Sequence, residues 1–232
     1  MPTPYALRSI TFSADLLYKP VNHDPKNLQR LHSLLFVDPL ATYVNFSAIP
    51  GGAQLSNPQG TSQAISTALF LPDRVRLQEH HTGISQEDFA ARLMRVAEQS
   101  LKHLEIPAII AQQVVVQSLV NPRQTQDTRE FIARHMWHLS QDDFTPLVRM
   151  PQLIGLRLAF PQSQEHPGIF NVRVESYGLD SRSLFLENVG VFGSPITADG
   201  LAAITSNVGA TYGFLEQSVM PFVVRFDGQS GP

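Results

Sequence analysis

Two histidines three residues apart, His135 and His138, stand with Glu130 and the chain's single tryptophan, Trp137, in the stretch DTREFIARHMWHL. On a helix this spacing turns two imidazoles toward one metal, but a zinc centre needs three or four ligands and a helical pair supplies only two. Phe131, Ile132, Met136 and Leu139 mark the apolar stripe, which leaves His138 on the wet side near Arg134 and Asp127, with His135 at the border. The segment therefore reads as a structural helix, and neither a metal nor a cofactor is expected.

Glu79-His80-His81 is the second histidine cluster. Strand alternation sends His80 to one face and Glu79 with His81 to the other, so the three should not converge. No G-x-S-x-G elbow is present: in VFGSPITADG the serine after glycine precedes a helix cap. Neither G-x-x-x-x-G-K-[ST] nor G-x-G-x-x-G occurs, so phosphate and dinucleotide loops are unsupported. With no cysteine, thiolate metal sites, disulfides and cysteine nucleophiles are excluded. The expectation is a protein without catalytic residues.

The more informative polar set lies on strands. Arg74 and Arg76 in the first half and Arg157 and Arg173 in the second alternate away from the apolar positions around them, and Gln113, Gln117 and Asn45 fall in the same phase. Guanidinium forks on a sheet face suit anionic partners. The competing reading is a solvated face on which Glu175 and similar residues balance the charge. Lys+Arg 17 against Asp+Glu 20 leaves a net charge of -3, and no outward aromatics offer a stacking platform, so nucleic acid is the disfavoured partner.

The elements that carry these side chains follow from period and punctuation. RSITFSADLLY alternates Ile10 and Phe12 with Ser9, Thr11 and Ser13 as a strand. Asp24 caps a helix that starts at Pro25 and aligns Leu28, Leu31 and Leu35. TYVNFSAIP is a strand, GGAQLSNPQGTSQA has loop composition, and AISTALF with RVRLQEH forms a hairpin at Leu71-Pro72-Asp73. Ser85 and Asp88 open a longer helix with Phe89, Leu93, Val96, Leu101 and Leu104 on its buried side.

The order then starts again. AQQVVVQSLV is a strand, Asp127 caps the helix DTREFIARHMWHL, and LIGLRLAF is a strand. IFNVRVESY and SRSLFLENVGVF form a hairpin about Gly178-Leu179-Asp180. Thr197 caps a long helix through Leu201, Ile204, Val208, Tyr212, Leu215 and Val219 that Met220-Pro221 ends. These patterns predict an α+β chain of two pseudo-repeated halves, residues 1–108 and 109–232, packed as one unit. Each half is an antiparallel sheet with one face covered by a short and a long helix.

The stretch ALFLPDRVRLQEHHTGISQEDFAARLMRVAEQSLKHLEIPAIIAQQVVVQSLVNP resembles a sporadically distributed bacterial family of uncharacterised proteins. That family shows a strand pair, a W/Y-x-x-F helix start and a strand close to R-x-x-x-R-Y-I-N. Here the last of these corresponds to Gln112 through Asn121: the asparagine is kept, while both arginines and the tyrosine are absent. The duplicated layout also resembles the TATA-binding-protein class of fold, a saddle with helices on its convex side. Neither resemblance implies catalytic residues.

Function is therefore expected to be non-catalytic, a binding or scaffold protein that meets another protein or a second copy of itself. The alternatives are nucleic-acid binding through the arginine-bearing face and an enzyme acting on a small ligand. No apolar run reaches the roughly 18 residues of a membrane span. MPTPYALRSI lacks a signal-peptide pattern, so a cytoplasmic protein is expected.

Overall fold

The computed structural model describes residues 6–58, 64–123 and 125–227. Alternation in RSITFSADLL makes β1 (Arg8–Leu17) a strand with Phe12, Ala14 and Leu16 buried on one face. α1 (Pro25–Phe36) begins where the Asp24 carboxylate accepts from the Lys26 amide, and it buries Leu28, Leu31 and Leu35. β2 (Asn45–Ile49) and β3 (Gly52–Ser56) follow as a hairpin, with Gly51 at φ +76° in its turn. The loop expected after β2 thus begins with a strand. Only Ala53 and Leu55 are buried along β3, too short an alternation to stand out among Gly, Ser and Asn. Residues 59–63 of that stretch lie outside the described residues.

β4 (Ile65–Leu71) and β5 (Arg74–His80) pair across the Pro72-Asp73 turn. α2 (Gln86–His103) starts at Ser85, whose Oγ accepts from the Asp88 amide and donates to its carboxylate. β6 (Ala111–Val120) opens the second half. The helix capped by Asp127 is then less regular than its apolar stripe suggests. One α-helical turn, α3 (Thr128–Glu130), widens into a π-helical turn over Phe131–Met136. Phe131, Ile132 and Ala133 are consecutive buried residues, more than one narrow stripe accommodates, and the wider turn puts all three inside.

A 3-10 segment (Asp142–Leu147) leads to β7 (Gly155–Phe160), β8 (Ile169–Ser176) and β9 (Leu184–Phe192). The last helical region has four pieces: a 3-10 turn (Ala198–Gly200), α4 (Ala202–Phe214), a π-helical turn (Leu215–Val219) and α5 (Met220–Val224). Thr197 precedes this region without a side-chain capping bond. Pro221 directly follows the π-helical turn, and the helix continues past it to Val224 instead of ending at Met220-Pro221.

The nine strands among the described residues form one antiparallel sheet in the order β2-β3-β4-β5-β1-β6-β9-β8-β7. The chain is mixed α+β, and the sheet runs unbroken through both halves, joined where β1 pairs with β6. The helices cover a single face. α2 packs on β1 and β5, α4 on β6 and β9, and the two helices pack against each other. Phe12 links them, stacked on Phe89 of α2 at 5.4 Å and tilted against Tyr212 of α4 at 6.2 Å.

Two polar residues on the covered face, Asn188 and Gln112, bond to α4. Asn188 donates to the Thr211 carbonyl at 2.8 Å, and Asn207 donates to Gln112 Oε1 at 2.8 Å. Gly190 lets this helix approach: a Cβ there would lie 2.3 Å from Thr211 Oγ1. No helix among the described residues is long and apolar enough to cross a membrane.

Candidate binding face

The face opposite the helices is built by strand parity. Register places Thr11 between His80 and Gln117, Ser13 between Gln78 and Val115, and Asp15 between Arg76 and Gln113. Three rows thus cross β5, β1 and β6 at mid-sheet, and their side chains line a depression of about 410 Å3. Short side chains on β1 form its floor and longer ones on β5 and β6 its walls. Ser13, Gln78 and Gln113 make no side-chain hydrogen bond to any described residue, so their polar groups are available to an incoming partner.

Most of the charges on this face are already matched. Arg76 holds Asp15 at two points, and Asp15 is only 8% exposed. Arg74 folds onto Asp73 at 2.8 Å. Arg173 lies between Glu187 at 3.3 Å and Glu175 at 3.6 Å, with its guanidinium 4.8 Å from the Phe185 ring centre. Gln117 also donates to Glu187, at 2.6 Å. Arg157, opposite Arg173 in the β7–β8 register, is exposed and has no ion pair with a described residue.

Of the seven residues singled out from sequence, Arg76, Gln113 and Gln117 meet in the depression. Arg74 stands beyond its rim, and Arg157 and Arg173 lie strands away on β7 and β8. Asn45 sits on the far edge strand β2. Sequence reasoning passed over Asp15 and Gln78, and took His80 only as part of the Glu79-His80-His81 cluster. Asp15 was recoverable, because it continues the phase of Thr11 and Ser13 along β1.

His80 follows the alternation argument, sharing the open face with Thr11 while Glu79 takes the other side; His81 is the residue that departs from it. The Nδ1 of His80 lies 2.6 Å from Thr11 Oγ1, and its ring centre lies 4.1 Å from that of His81. The strand ends at His80, and His81, at φ +52°, leaves the extended conformation on which alternation depends. Burial, with a smaller contribution from His81, pushes the His80 imidazole below its usual pKa. Glu79 points to the covered side, where its carboxylate takes the Arg92 guanidinium and the Ser66 hydroxyl, the latter at 2.9 Å.

His135 packs against Phe131 at 5.7 Å, while His138 is exposed at φ +57° where the π-helical turn has ended. No group of three or more His, Cys, Asp or Glu able to hold a metal ion occurs among the described residues.

Around the depression, aliphatic side chains alternate with polar ones: Leu17, Ile65, Leu69, Val189 and Val191 share its phase and are all partly exposed, as are Thr67 and Glu187. Neutral hydrogen-bonding groups bordered by aliphatic side chains, with most of the nearby charges paired internally, can recognise a polar but uncharged surface. The chain matches no protein-family model and no curated protein, so the family resemblance rests on the residues quoted for it.

Proposed function

We propose that the protein is a non-catalytic binding or scaffold protein that receives another protein on the open face of its sheet. The observation that carries this reading is the pairing of most arginines on that face with carboxylates. Phosphate recognition needs cations free to release counterions, whereas three of the four arginines are committed to carboxylates of the same chain. Protein interfaces favour what remains, aliphatic side chains around polar groups of low net charge.

The two halves are read as a duplicated unit of TATA-binding-protein-like layout, related to the bacterial family by the motifs quoted above. Support comes from the strand order, in which β5 and β9 flank the β1–β6 pair on either side. A cytoplasmic setting belongs to the same reading.

Affinity capture from the native cell with two variants tests it. Val115→Arg places an uncompensated cation in the depression, and Gln29→Arg alters the exposed side of α1. The wild type and Gln29→Arg should retain one common partner that Val115→Arg loses. Equal retention by all three, or salt-dependent DNA or RNA binding abolished by Arg157→Glu with Arg173→Glu, would overturn the proposal.

A further inference from the structure

We propose that β2 is a self-association edge, paired antiparallel with β2 of a second copy so that two sheets become one. Among the described residues β2 ends the sheet, and one side of its backbone has no strand neighbour there. Edge strands in natural proteins are shielded by charge, proline, bulges or a covering segment, because unpaired N–H and C=O groups template further strands. From Val44 to Gly52 the chain carries no charge, and its only proline, Pro50, stands in the turn after β2. The opposite edge is different: β7 carries the exposed Arg157, with Pro151 and Pro161 on either side of it.

An apolar patch adjoins the β2 edge. The His32 ring lies 6.1 Å from Phe36 and 5.5 Å from Phe46, and its Nε2 is 3.1 Å from the Tyr43 carbonyl oxygen, so the end of α1 is fixed beside the strand. Phe36 is 49% exposed, Val37 75%, Leu40 56% and Val44 44%. Clustered exposure of this kind marks an association surface.

The sequence of β2 selects the second copy as its occupant. In antiparallel pairing centred on Ser47, Ser47 faces Ser47 of the second copy, Phe46 faces Ala48, and Asn45 faces Ile49. Every residue of the strand is used, the bulky ring meets a methyl group, and no like charges oppose. A two-fold axis normal to the sheet at Ser47 keeps both open faces on one side. It also brings the two α1 patches together on the other. This inference is independent of the open-face reading, since neither surface overlaps the other.

The absence of cysteine from the chain makes the register testable. Facing Cα atoms in antiparallel strands are about 4.5–5.5 Å apart, within the range a disulfide spans. Under mild oxidation Ser47→Cys should convert mostly to a covalent dimer, while Ala48→Cys and Arg157→Cys remain largely uncrosslinked. Wild-type protein should sediment as a dimer, and Ser47→Lys should sediment as a monomer with an unchanged circular dichroism spectrum. A wild type that stays monomeric at all concentrations, or Arg157→Cys crosslinking as readily as Ser47→Cys, would overturn the proposal. Either result leaves the Val115→Arg capture experiment unaffected.

Discussion

Arg76 grips both carboxylate oxygens of Asp15, Nε to Oδ1 at 2.7 Å and Nη2 to Oδ2 at 2.9 Å, across the β5–β1 boundary. The planar fork matches the carboxylate, so the central cation of the open face is oriented as well as neutralised. A guanidinium held this way is a poor phosphate ligand and a well-placed rim group for a protein surface.

Asp15→Asn releases that guanidinium. Because the Arg76 side chain is 40% exposed, water compensates much of the loss, and a cost of about 1 kcal/mol is expected in urea unfolding. The variant should also gain weak, salt-sensitive retention on a polyanionic column that the wild type lacks.

Glu79 and Arg92 form a pair of another kind. Their side chains are 1% and 22% exposed, and the pair ties β5 to α2 on the covered side. Arg92→Ala strands the carboxylate and should cost about 3–5 kcal/mol. Glu79→Gln combined with Arg92→Leu should recover part of that loss, since no buried charge then lacks a partner. Chemical denaturation of the three variants checks both statements.

Stability should fall on mild acidification because of His80. Its folded pKa lies below the unfolded value, mainly through burial, so the folded state favours the neutral ring. The contribution is complete above the unfolded pKa of about 6.5 and is lost as pH drops from there through the folded value. Urea midpoints at several pH values between neutral and mildly acidic should decline for the wild type, and His80→Gln should flatten that decline.

Much of the architecture was legible because it depends on neighbours in sequence. Alternation located β1, β6 and the β4–β5 and β8–β9 hairpins, and spacing with capping located α1 and α2. It faltered where a local signal was short or mixed. β3 has two buried side chains among turn-forming residues, and the segment after α3 winds as a π turn to bury three adjacent residues.

The same division runs through the candidate site. Phase along each strand put the four arginines and both glutamines on one side of the sheet, a property of single strands that sequence determines. Which of them meet was decided by register between distant strands: Asp15 and Arg76 are 61 residues apart, and Thr11 and His80 are 69 apart. Alternation fixes the face of a side chain, but nonlocal backbone pairing chooses its neighbour across the sheet. Only the tertiary structure therefore showed that most of the arginines were already neutralised.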